Sequence, residues 1–270
     1  MTSTLDTTTE FWRAPALPYV ESRRACHSRA CYKAHSHPTF SIGAVDLGSS
    51  YFTGAAGGPV LIQAGTVVFV PSVCVHSCNP LPNTAWSYQM LHLDAAWLQA
   101  LRQESGIGQR KDVTLTRDAS VYARFCQLNV FLFCAASVYE KEAALIAFIG
   151  DCGSDDQETI TTSEQATFAC GRLQPVLERL QYDGIAMGSL AELAKVAGMS
   201  RYQLIRAFRA STGMTPHVYQ LNLRINQARV WLRSGEEMAD IAYRLGFADQ
   251  SHFQRVFKAY AGVTPGLYRS

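Results

Sequence analysis

Three histidines in the first third of the chain have the spacing of a binding site. His35 and His37 are separated by one residue, so on a strand both imidazoles point to the same face. His76 lies five residues after Pro71, which itself lies six residues after Gly65. Three imidazoles can hold a divalent metal ion with an open coordination position, and they can also line a pocket for an organic molecule. The sequence leaves both alternatives open.

Two cysteines extend this pattern. Cys74, His76 and Cys78 alternate, so they share one strand face if the segment is extended. A mixed cluster of thiolates and imidazoles suits a soft ion such as zinc, nickel or copper, although cysteine is also a common small core residue. The chain has 8 cysteines in 270 residues and no CxxC pair, which argues against a disulfide scaffold and for reduced thiols in the cytoplasm.

Two basic segments in the last third of the chain indicate a different chemistry. The segment 201–210 contains three arginines, one tyrosine and one glutamine but no acidic residue, and its Leu204 and Phe208 share one helical face. The segment 250–260 repeats the pattern with two phenylalanines in the apolar positions. A solvated helix face would mix charges of both signs, so these faces favour helices that read the major groove of DNA.

Arg206 and Arg255 occupy corresponding positions of the two segments, 49 residues apart. An arginine that binds guanine through two hydrogen bonds provides about 1–3 kcal/mol of discrimination against a wrong base. We therefore take these two arginines as the strongest candidates for base contacts. Arg224 and Arg229, which lie between the segments, are interpreted as packing or ion-pair residues, and His252 either packs locally or touches a base.

Helix signals place the first basic segment in a helix-turn-helix unit. Ser189 and Glu192 have the spacing of a capping box for a short helix over 190–196. Gly198 breaks that helix, and Ser200 caps the basic helix that follows. Two helices joined by a tight, glycine-containing turn are the elements of this motif.

A long helix over 216–234 is predicted to join the first unit to a second one. About 19 residues at 1.5 Å each give a length of about 28 Å, close to the 34 Å between successive major grooves on one side of a duplex. The second unit consists of a helix over 238–245, a break at Gly246 and a basic helix capped by Asp249.

The first part of the chain has the pattern of a small β-barrel or sandwich. Short apolar stretches between residues 21 and 93 alternate with Gly, Pro, Asn and Ser. Residues 1–20 are expected to form a loose arm.

Helices are expected after the strands, over 94–104, from Asp118 onward and over 137–149. The second of them carries an apolar stripe with steps of four, three and four residues, formed by Val121, Phe125, Leu128 and Leu132. Such a stripe either covers the barrel or forms the seam of a homodimer, and we favour the dimer because of its aromatic content and its spacing.

The charge of the chain changes sign in its second half. Residues 1–170 carry 11 basic and 15 acidic side chains, whereas residues 171–270 carry 13 and 7. The basic end suggests an anionic partner, with nucleic acid as the first candidate. The Asp-, Ser- and Thr-rich residues 151–165 have the composition of a linker. We predict an effector-binding and dimerisation domain over 1–150, a linker over 151–168 and a DNA-binding domain over 169–270.

Several classes of protein do not fit the sequence. No apolar run reaches the roughly 18 residues of a membrane span, and the first residues lack the features of a secretory signal. No nucleophile elbow, phosphate-binding loop or dinucleotide fingerprint occurs, so we expect no enzyme.

The last hundred residues resemble the arabinose-regulator (AraC/XylS) family of bacterial transcription factors. The resemblance covers 172–269 and is densest in I-A-x-x-L-G-F-A-D-Q-S-H-F-x-R-x-F-K (241–258) and G-V-T-P-G-x-Y-R (262–269). It implies a seven-helix domain with two helix-turn-helix units. By the same resemblance Tyr202, Ile205 and Arg206 of the first unit contact bases, as do Gln250, Ser251, His252 and Arg255 of the second. Arg201, Arg209 and Lys258 fit phosphate contacts.

The histidine patterns are similar to the two motifs of the cupin barrel, and to the ligand-binding domain often attached to this regulator family. The carboxylate that metal cupins carry about four residues after HxH is absent, because Phe40, Ser41 and Ile42 stand there. The implied fold is α+β and multidomain, with a cupin-like barrel and helical dimerisation segment followed by an all-α domain. We expect His35, His37 and His76 to line an effector pocket.

The predicted function is sequence-specific binding of double-stranded DNA under the control of a small effector in the barrel. The alternatives are a metal- or thiol-responsive regulator that senses through His35, His37 and His76 with Cys74 and Cys78, and a constitutive DNA binder. A cytoplasmic homodimer is expected, with RNA polymerase as a further partner and a divalent metal as the one conceivable cofactor.

Overall fold

The computed structural model describes residues 7–54, 58–152, 158–161, 166–182 and 189–270. The N-terminal part is built from two antiparallel sheets. Seven strands form the larger sheet, in the order β1-β2-β8-β3-β6-β9-β10, and three form the smaller, in the order β5-β4-β7. The strands are β1 (Thr8–Arg13), β2 (Val20–Ser28), β3 (Phe40–Leu47), β4 (Ser49–Gly54), β5 (Val60–Gln63), β6 (Val67–Val70), β7 (His76–Pro80), β8 (Trp86–Leu93), β9 (Val113–Thr116) and β10 (Glu158–Thr161).

The two faces of the larger sheet bury different cores. One face packs toward the smaller sheet around residues such as Val45, Phe52 and Ile62, which gives the predicted cupin-like barrel its interior. The other face packs on three helices, around residues such as Phe40 and Leu91. Alternation of side chains along each strand makes this two-sided burial possible.

These three helices are α1 (Ala95–Glu104), α2 (Ala119–Phe133) and α3 (Val138–Asp151). Asp94, Asp118 and Ser137 cap them, and each side chain accepts a hydrogen bond from a backbone N–H in the first turn. The helices begin within a residue or two of the predicted positions.

The apolar stripe of α2 does not form an exposed dimer seam. Its four members are buried inside the same chain and pack against the larger sheet: Val121, Phe125, Leu128 and Leu132. The exposed apolar side chains of α2 and α3 are others, among them Val130 and Tyr139. The spacing that suggested a seam is therefore explained by the barrel, which needs a helical cover for its outer face.

Two segments expected to lack regular structure contain strands. Residues 8–13 of the predicted arm form β1, which pairs along its whole length with the edge that β2 offers. Residues 158–161 of the predicted linker form β10, which pairs with β9. Residues 1–6 of the predicted arm and residues 153–157 and 162–165 of the predicted linker lie outside the described residues. The linker predicted over 151–168 is too long at its end, because a helix already begins at Ala166.

The described residues of the C-terminal part form the seven predicted helices. They are α4 (Ala166–Tyr182), α5 (Leu190–Val196), α6 (Arg201–Thr212), α7 (Pro216–Arg233), α8 (Met238–Arg244), α9 (Gln250–Ala261) and α10 (Pro265–Arg269). Ser189 and Ser200 both form capping boxes, and Gly213 and Gly262 end α6 and α9 in the left-handed conformation that glycine adopts without strain.

Two apolar cores hold these helices together, with α7 between them. Leu204 and Phe208 of α6 lie in one core, and Phe253 and Phe257 of α9 lie in the other. Each core also takes in a barrel residue, Val75 and Phe11 respectively. Within the described residues, no helix combines the length and the apolar character needed to cross a bilayer.

Candidate effector pocket and nucleic-acid interface

A cavity of about 330 Å³ lies between the barrel and the C-terminal helices. The barrel lines it with histidines and aromatic side chains, and the helical domain lines it with polar and basic side chains of α7 together with two tyrosines. The residues used below are His35, His37, His76, His92, Glu21, Arg23, Tyr32 and Tyr88 from the barrel, and Asn226, Arg229, Arg233, Tyr260 and Tyr268 from the helical domain. A molecule in this cavity would touch both parts of the chain.

The three predicted histidines come together in this cavity, although not on one strand. His35 and His37 lie in an extended loop ahead of β3, and His35 pairs with His76 through two backbone hydrogen bonds of 2.8 and 2.9 Å. All three imidazoles are buried. One ring nitrogen from each lies within 4.8 Å of those of the other two.

Backbone carbonyls fix the orientation of all three rings. The Nδ1 atoms of His35, His37 and His76 lie 2.8, 3.1 and 3.0 Å from the carbonyl oxygens of Lys33, Thr39 and Cys74. A carbonyl oxygen only accepts hydrogen bonds, so each Nδ1 donates and each Nε2 keeps its lone pair. The three rings line the cavity, and their unprotonated nitrogens are the Nε2 atoms; that of His37 lies 3.5 Å from the Ser41 hydroxyl.

Burial keeps these imidazoles neutral. It lowers the pKa of His35 and His37 well below the usual histidine range, and the pKa of His76 to about 4. The charge of Arg229 lowers all three further. Neutral imidazoles act as hydrogen-bond acceptors or metal ligands through the nitrogen that carries no proton.

A fourth histidine, His92, stands beside the triad. Its ring centroid is 5.1 Å from that of His37, and its Nδ1 is 2.7 Å from the Ser41 hydroxyl. Burial lowers the pKa of His92 to about 4. The period of two along β8 could have revealed it, because Trp86, Tyr88 and Met90 precede it on the same cavity-facing side.

Cys74 and Cys78 do not join the histidines in one cluster. Among the residues that the structure describes, His35, His37 and His76 form the one group of potential metal ligands. Cys74 lies ahead of β7 rather than on it, and both cysteines pack against the apolar interior of the barrel. Burial raises the pKa of Cys78 to about 12, which keeps it a thiol.

Two arginines supply positive charge to the cavity. Arg23 is buried and donates to the carbonyl of Ala261 (2.9 Å) and the hydroxyl of Tyr32 (3.0 Å). Arg229, on α7, donates to Asn226 Oδ1 at 3.3 Å. The Nε atoms of both arginines are shielded from solvent and have no hydrogen-bond partner among the described residues. The interpretation of Arg229 as a packing or ion-pair residue therefore leaves out its position in the wall of the cavity.

Direct hydrogen bonds also join the barrel to α7. The backbone N–H of Ser36 donates to Asn222 Oδ1 (3.2 Å), and Asn222 Nδ2 donates to the carbonyl of Ser36 (2.9 Å). The amide of Asn226 donates to the same carbonyl at 2.9 Å. Because Ser36 lies between His35 and His37, the loop that carries two of the three histidines is tied directly to the helix that carries Arg229.

A buried carboxylate forms a second junction. Glu21 accepts a hydrogen bond from Arg13 Nε at 2.7 Å, lies 3.8 Å from Arg233 of α7 and is 3.4 Å from the hydroxyl of Tyr268. Burial alone would raise the pKa of Glu21, but electrostatic interaction with His92, the charges of Arg13 and Arg233 and the hydrogen bond from Arg13 lower it on balance. Glu21 therefore stays ionised where barrel and helices meet.

The predicted DNA-contacting residues of α6 lie on its outer face. Arg201, Tyr202, Arg206 and Arg209 are exposed and Ile205 is half-buried, while Leu204 and Phe208 turn inward. The Arg206 guanidinium lies 5.7 Å from the centre of the Tyr202 ring. The helix thus presents a basic, partly aromatic surface.

The corresponding surface of α9 is formed in the same way. Gln250, Ser251, Arg255 and Lys258 are exposed. His252 is half-buried, with its ring 5.5 Å from that of Phe247, and its backbone N–H donates to the capping carboxylate of Asp249 at 2.6 Å. Local packing is therefore part of the role of His252.

Two domain families match the chain. An AraC-like ligand binding domain matches residues 17–141, and a Helix-turn-helix domain matches residues 193–270. The HTH-type transcriptional regulator YbfI of Bacillus subtilis is 25% identical over 87% of this chain and 86% of its own length. The HTH-type transcriptional activator RhaS of Yersinia pestis is 26% identical over 97% of both chains.

A solved structure shares the whole architecture. ToxT from Vibrio cholerae superimposes with a TM-score of 0.57 and 17% identity, over 98% of this chain and 97% of that chain. At this identity the likeness concerns the fold.

A ligand-binding barrel joined to a helical domain with two exposed basic helix-turn-helix units defines a DNA-binding regulator of transcription that has a small-molecule effector. The chain belongs to the AraC family of transcriptional regulators.

Proposed function

We propose that the effector binds in the cavity between barrel and helices and controls how the helical domain presents α6 and α9 to DNA. The observation that carries this proposal is the position of Arg229. It lies on α7, the helix that joins the two helix-turn-helix units, yet it lines the same cavity as the histidines of the barrel. An effector at this place changes the free energy of a contact between domains, which is what a regulatory ligand must do.

The chemistry of the cavity favours an effector with a carboxylate and an apolar or aromatic body. Arg23 and Arg229 each hold an Nε donor that has no partner in the described part of the chain, and a carboxylate is the anion that fits a guanidinium best. Aromatic rings such as Tyr32, Tyr88 and Tyr260 line much of the remaining wall. ToxT has been solved with an unsaturated fatty acid and with a naphthalenyl butenoic acid, which supports a carboxylic acid as the ligand of this fold.

The effector acts by competing with, or reinforcing, the contacts that hold α7 against the barrel. Asn222 and Arg233 bind barrel groups at Ser36 and Glu21, on either side of Arg229 along the helix. A ligand that binds the open and the docked arrangements with different affinity shifts the population between them. This difference in the free energy of ligand binding then favours or disfavours the arrangement in which both helix-turn-helix units bind DNA.

On the DNA side, we propose that α6 and α9 each enter a major groove. Base contacts are assigned to Tyr202, Ile205 and Arg206 of α6 and to Gln250, Ser251, His252 and Arg255 of α9; phosphate contacts are assigned to Arg201, Arg209 and Lys258. The exposure of the basic members of both sets, on helices whose opposite faces are buried, supports this assignment.

Further partners follow from this role. We propose a homodimer that pairs through outer residues of α2 and α3, such as Val130 and Tyr139, since the inner stripe is used within the chain.

RNA polymerase is the partner through which a bound regulator affects transcription. The protein acts in the cytoplasm, where DNA and polymerase are, and works by binding rather than by catalysis. We assign effector binding and dimerisation to residues 1–150, the linker to residues within 151–168 and DNA binding to 169–270.

The test is a binding series with carboxylic acids on the purified full-length protein. Affinities for unsaturated fatty acids and aryl-alkenoic acids are measured by calorimetry for wild type, Arg229→Gln and Arg224→Gln. Arg224 is a buried arginine of the same helix that does not line the cavity. Loss of Arg229 is expected to weaken binding by about 2 kcal/mol, roughly 30-fold, with little change for Arg224→Gln. Equal effects of the two variants, or binding of the matching alcohols as tightly as the acids, would refute the proposal.

A further inference from the structure

We propose that the effector carries a hydroxyl group besides its carboxylate, and that this hydroxyl donates a hydrogen bond to the cluster of His35, His37 and His76. The ligand class is thus a hydroxyaryl carboxylic acid. The inference rests on the proposed function, because it takes the carboxylate site between barrel and helices as given. It adds a second recognition point, on the barrel side, which selects among carboxylic acids.

The first argument is that two of these imidazoles have an acceptor to spare. In each ring Nδ1 donates to a main-chain carbonyl, so Nε2 carries the lone pair. The hydroxyl of Ser41 lies 3.5 Å from Nε2 of His37, but no residue in the described parts of the chain donates to Nε2 of His35 or His76. His35 is 8% exposed and His76 4%, and both line the cavity. A buried acceptor without a donor costs free energy, which a ligand hydroxyl recovers.

The second argument is the charge around these acceptors. Burial keeps the imidazoles neutral, so they have no charge with which to attract an anion. Arg23 and Arg229 line the same cavity and repel a cation, which disfavours an ammonium group. A neutral donor is the group that remains. A phenolic hydroxyl donates more strongly than an aliphatic one, because its proton is more acidic.

The third argument is the wall that joins the two recognition points. The centre of the Tyr32 ring is 6.0 Å from the Arg23 guanidinium carbon and 5.9 Å from the centre of the His35 ring. Because these two distances bound the separation by their sum, guanidinium and imidazole are at most about 12 Å apart, a span that one aromatic ring with a short acid side chain bridges. Trp86 and Tyr88, whose stacked rings are 4.3 Å apart, also line the cavity. Flat aromatic surfaces favour an aryl body over a flexible alkyl chain.

The experiment compares matched ligands on the full-length protein by calorimetry. They are cinnamic acid, its 3-hydroxy and 4-hydroxy derivatives, and the two methyl ethers of these derivatives. At least one hydroxyl isomer is expected to bind wild type about tenfold more tightly than cinnamic acid, the size of one net hydrogen bond. Its methyl ether keeps the oxygen but has no proton to donate, so it should bind no more tightly than cinnamic acid. The proposal is overturned if neither hydroxyl isomer gains affinity, or if the ether gains as much as the hydroxyl.

A double variant tests the acceptors. His35→Phe with His76→Phe removes both spare acceptors and keeps a flat ring at each position. It should bind cinnamic acid and lose the tenfold advantage of the hydroxy acid. An advantage that persists in the folded double variant would contradict the assignment.

A measurement on wild type needs no variant. In protein labelled with ¹⁵N-histidine, the Nε2 signal of at least one of the three imidazoles should move with the hydroxy acid beyond its shift with cinnamic acid. Identical shifts with the two ligands would overturn the proposal.

Failure of this inference is distinguishable from failure of the proposed function. If carboxylic acids bind and depend on Arg229, while the hydroxyl adds no affinity, the hydroxyl site alone is wrong. If no carboxylic acid binds, or if binding does not depend on Arg229, both proposals fall.

Discussion

Asn222 of α7 and Ser36 of the barrel loop, 186 residues apart in the chain, exchange hydrogen bonds through both the N–H and the C=O of the Ser36 backbone. Both residues are buried, so no solvent replaces the partner that either would lose. This contact joins the barrel to α7, the helix between the two helix-turn-helix units. It also positions the two histidines that lie on either side of Ser36.

Asn222→Ala is expected to lower the free energy of unfolding by about 1–3 kcal/mol, because two buried backbone groups of Ser36 lose this partner. The amide of His37 and its neighbours should exchange hydrogen faster, since the loop is released from α7. Hydrogen-exchange mass spectrometry on both proteins measures this. Unaltered exchange over residues 33–39 would mean that Asn222 does not hold the loop.

Arg255→Ala should remove sequence preference at one base pair while leaving the fold intact. The side chain is exposed and packs into neither core, and an arginine–guanine pair is worth about 1–3 kcal/mol of discrimination. Lys258→Ala is the companion variant. It should weaken binding to all sequences alike and reduce the slope of log affinity against log salt by about 1.

Selection of binding sites from a random pool, with both variants and wild type, separates the two roles. The assignment of Arg255 fails if its variant selects the wild-type site with undiminished preference at every position.

Gly262→Ala should disturb the boundary between barrel and helices more than an equivalent glycine replacement elsewhere. A Cβ at Gly262 would collide with the ring of Tyr32, which lines the cavity. Gly235 has a similar positive φ, and a Cβ there meets nothing within 4 Å, so Gly235→Ala reports the backbone strain alone, about 1–2 kcal/mol. Thermal and denaturant unfolding of the two variants should show the larger loss for Gly262→Ala. Equal losses would show that Tyr32 moves aside without cost.

The stabilising effect of Glu21 should disappear in acid. Its pKa is lowered in the folded protein, so ionised Glu21 stabilises the fold at pH values above the pKa of an unfolded glutamate. That contribution is lost as pH falls through the lowered pKa of the folded state. Wild type and Glu21→Gln should therefore differ in unfolding free energy at neutral pH and converge in acid. A difference that stays constant across this range would assign the effect to packing.

Much of the helical part could be predicted from the sequence because its signals are local. Ser189 with Glu192 and Ser200 with Gln203 form capping boxes within four residues, and Gly213 ends its helix where an alanine would be strained. The histidine site could be found because His35 and His37 are separated by a single residue.

The boundary between barrel and helices could not be predicted in this way. Arg229 is 192 residues from His37, and Asn222 is far from Ser36. No spacing within a segment reveals that the first pair lines one cavity and that the second pair is hydrogen-bonded. The stripe on α2 shows the same limit: Val121 and its partners have the period of a buried helix face, but a period does not say which surface buries it. The strand β1 likewise could not be predicted, because it forms by pairing with the edge of β2, and the sequence of residues 8–13 does not show that this edge is free.

The most direct test of the account is hydrogen-exchange mass spectrometry of the full-length protein with and without a saturating carboxylic acid ligand. An effector that bridges the two domains must protect the barrel loop 33–39 and the α7 segment 222–233 together, with Arg229→Gln abolishing the protection of α7. Protection confined to the barrel, with exchange in α7 unchanged, would contradict an effector site between the domains.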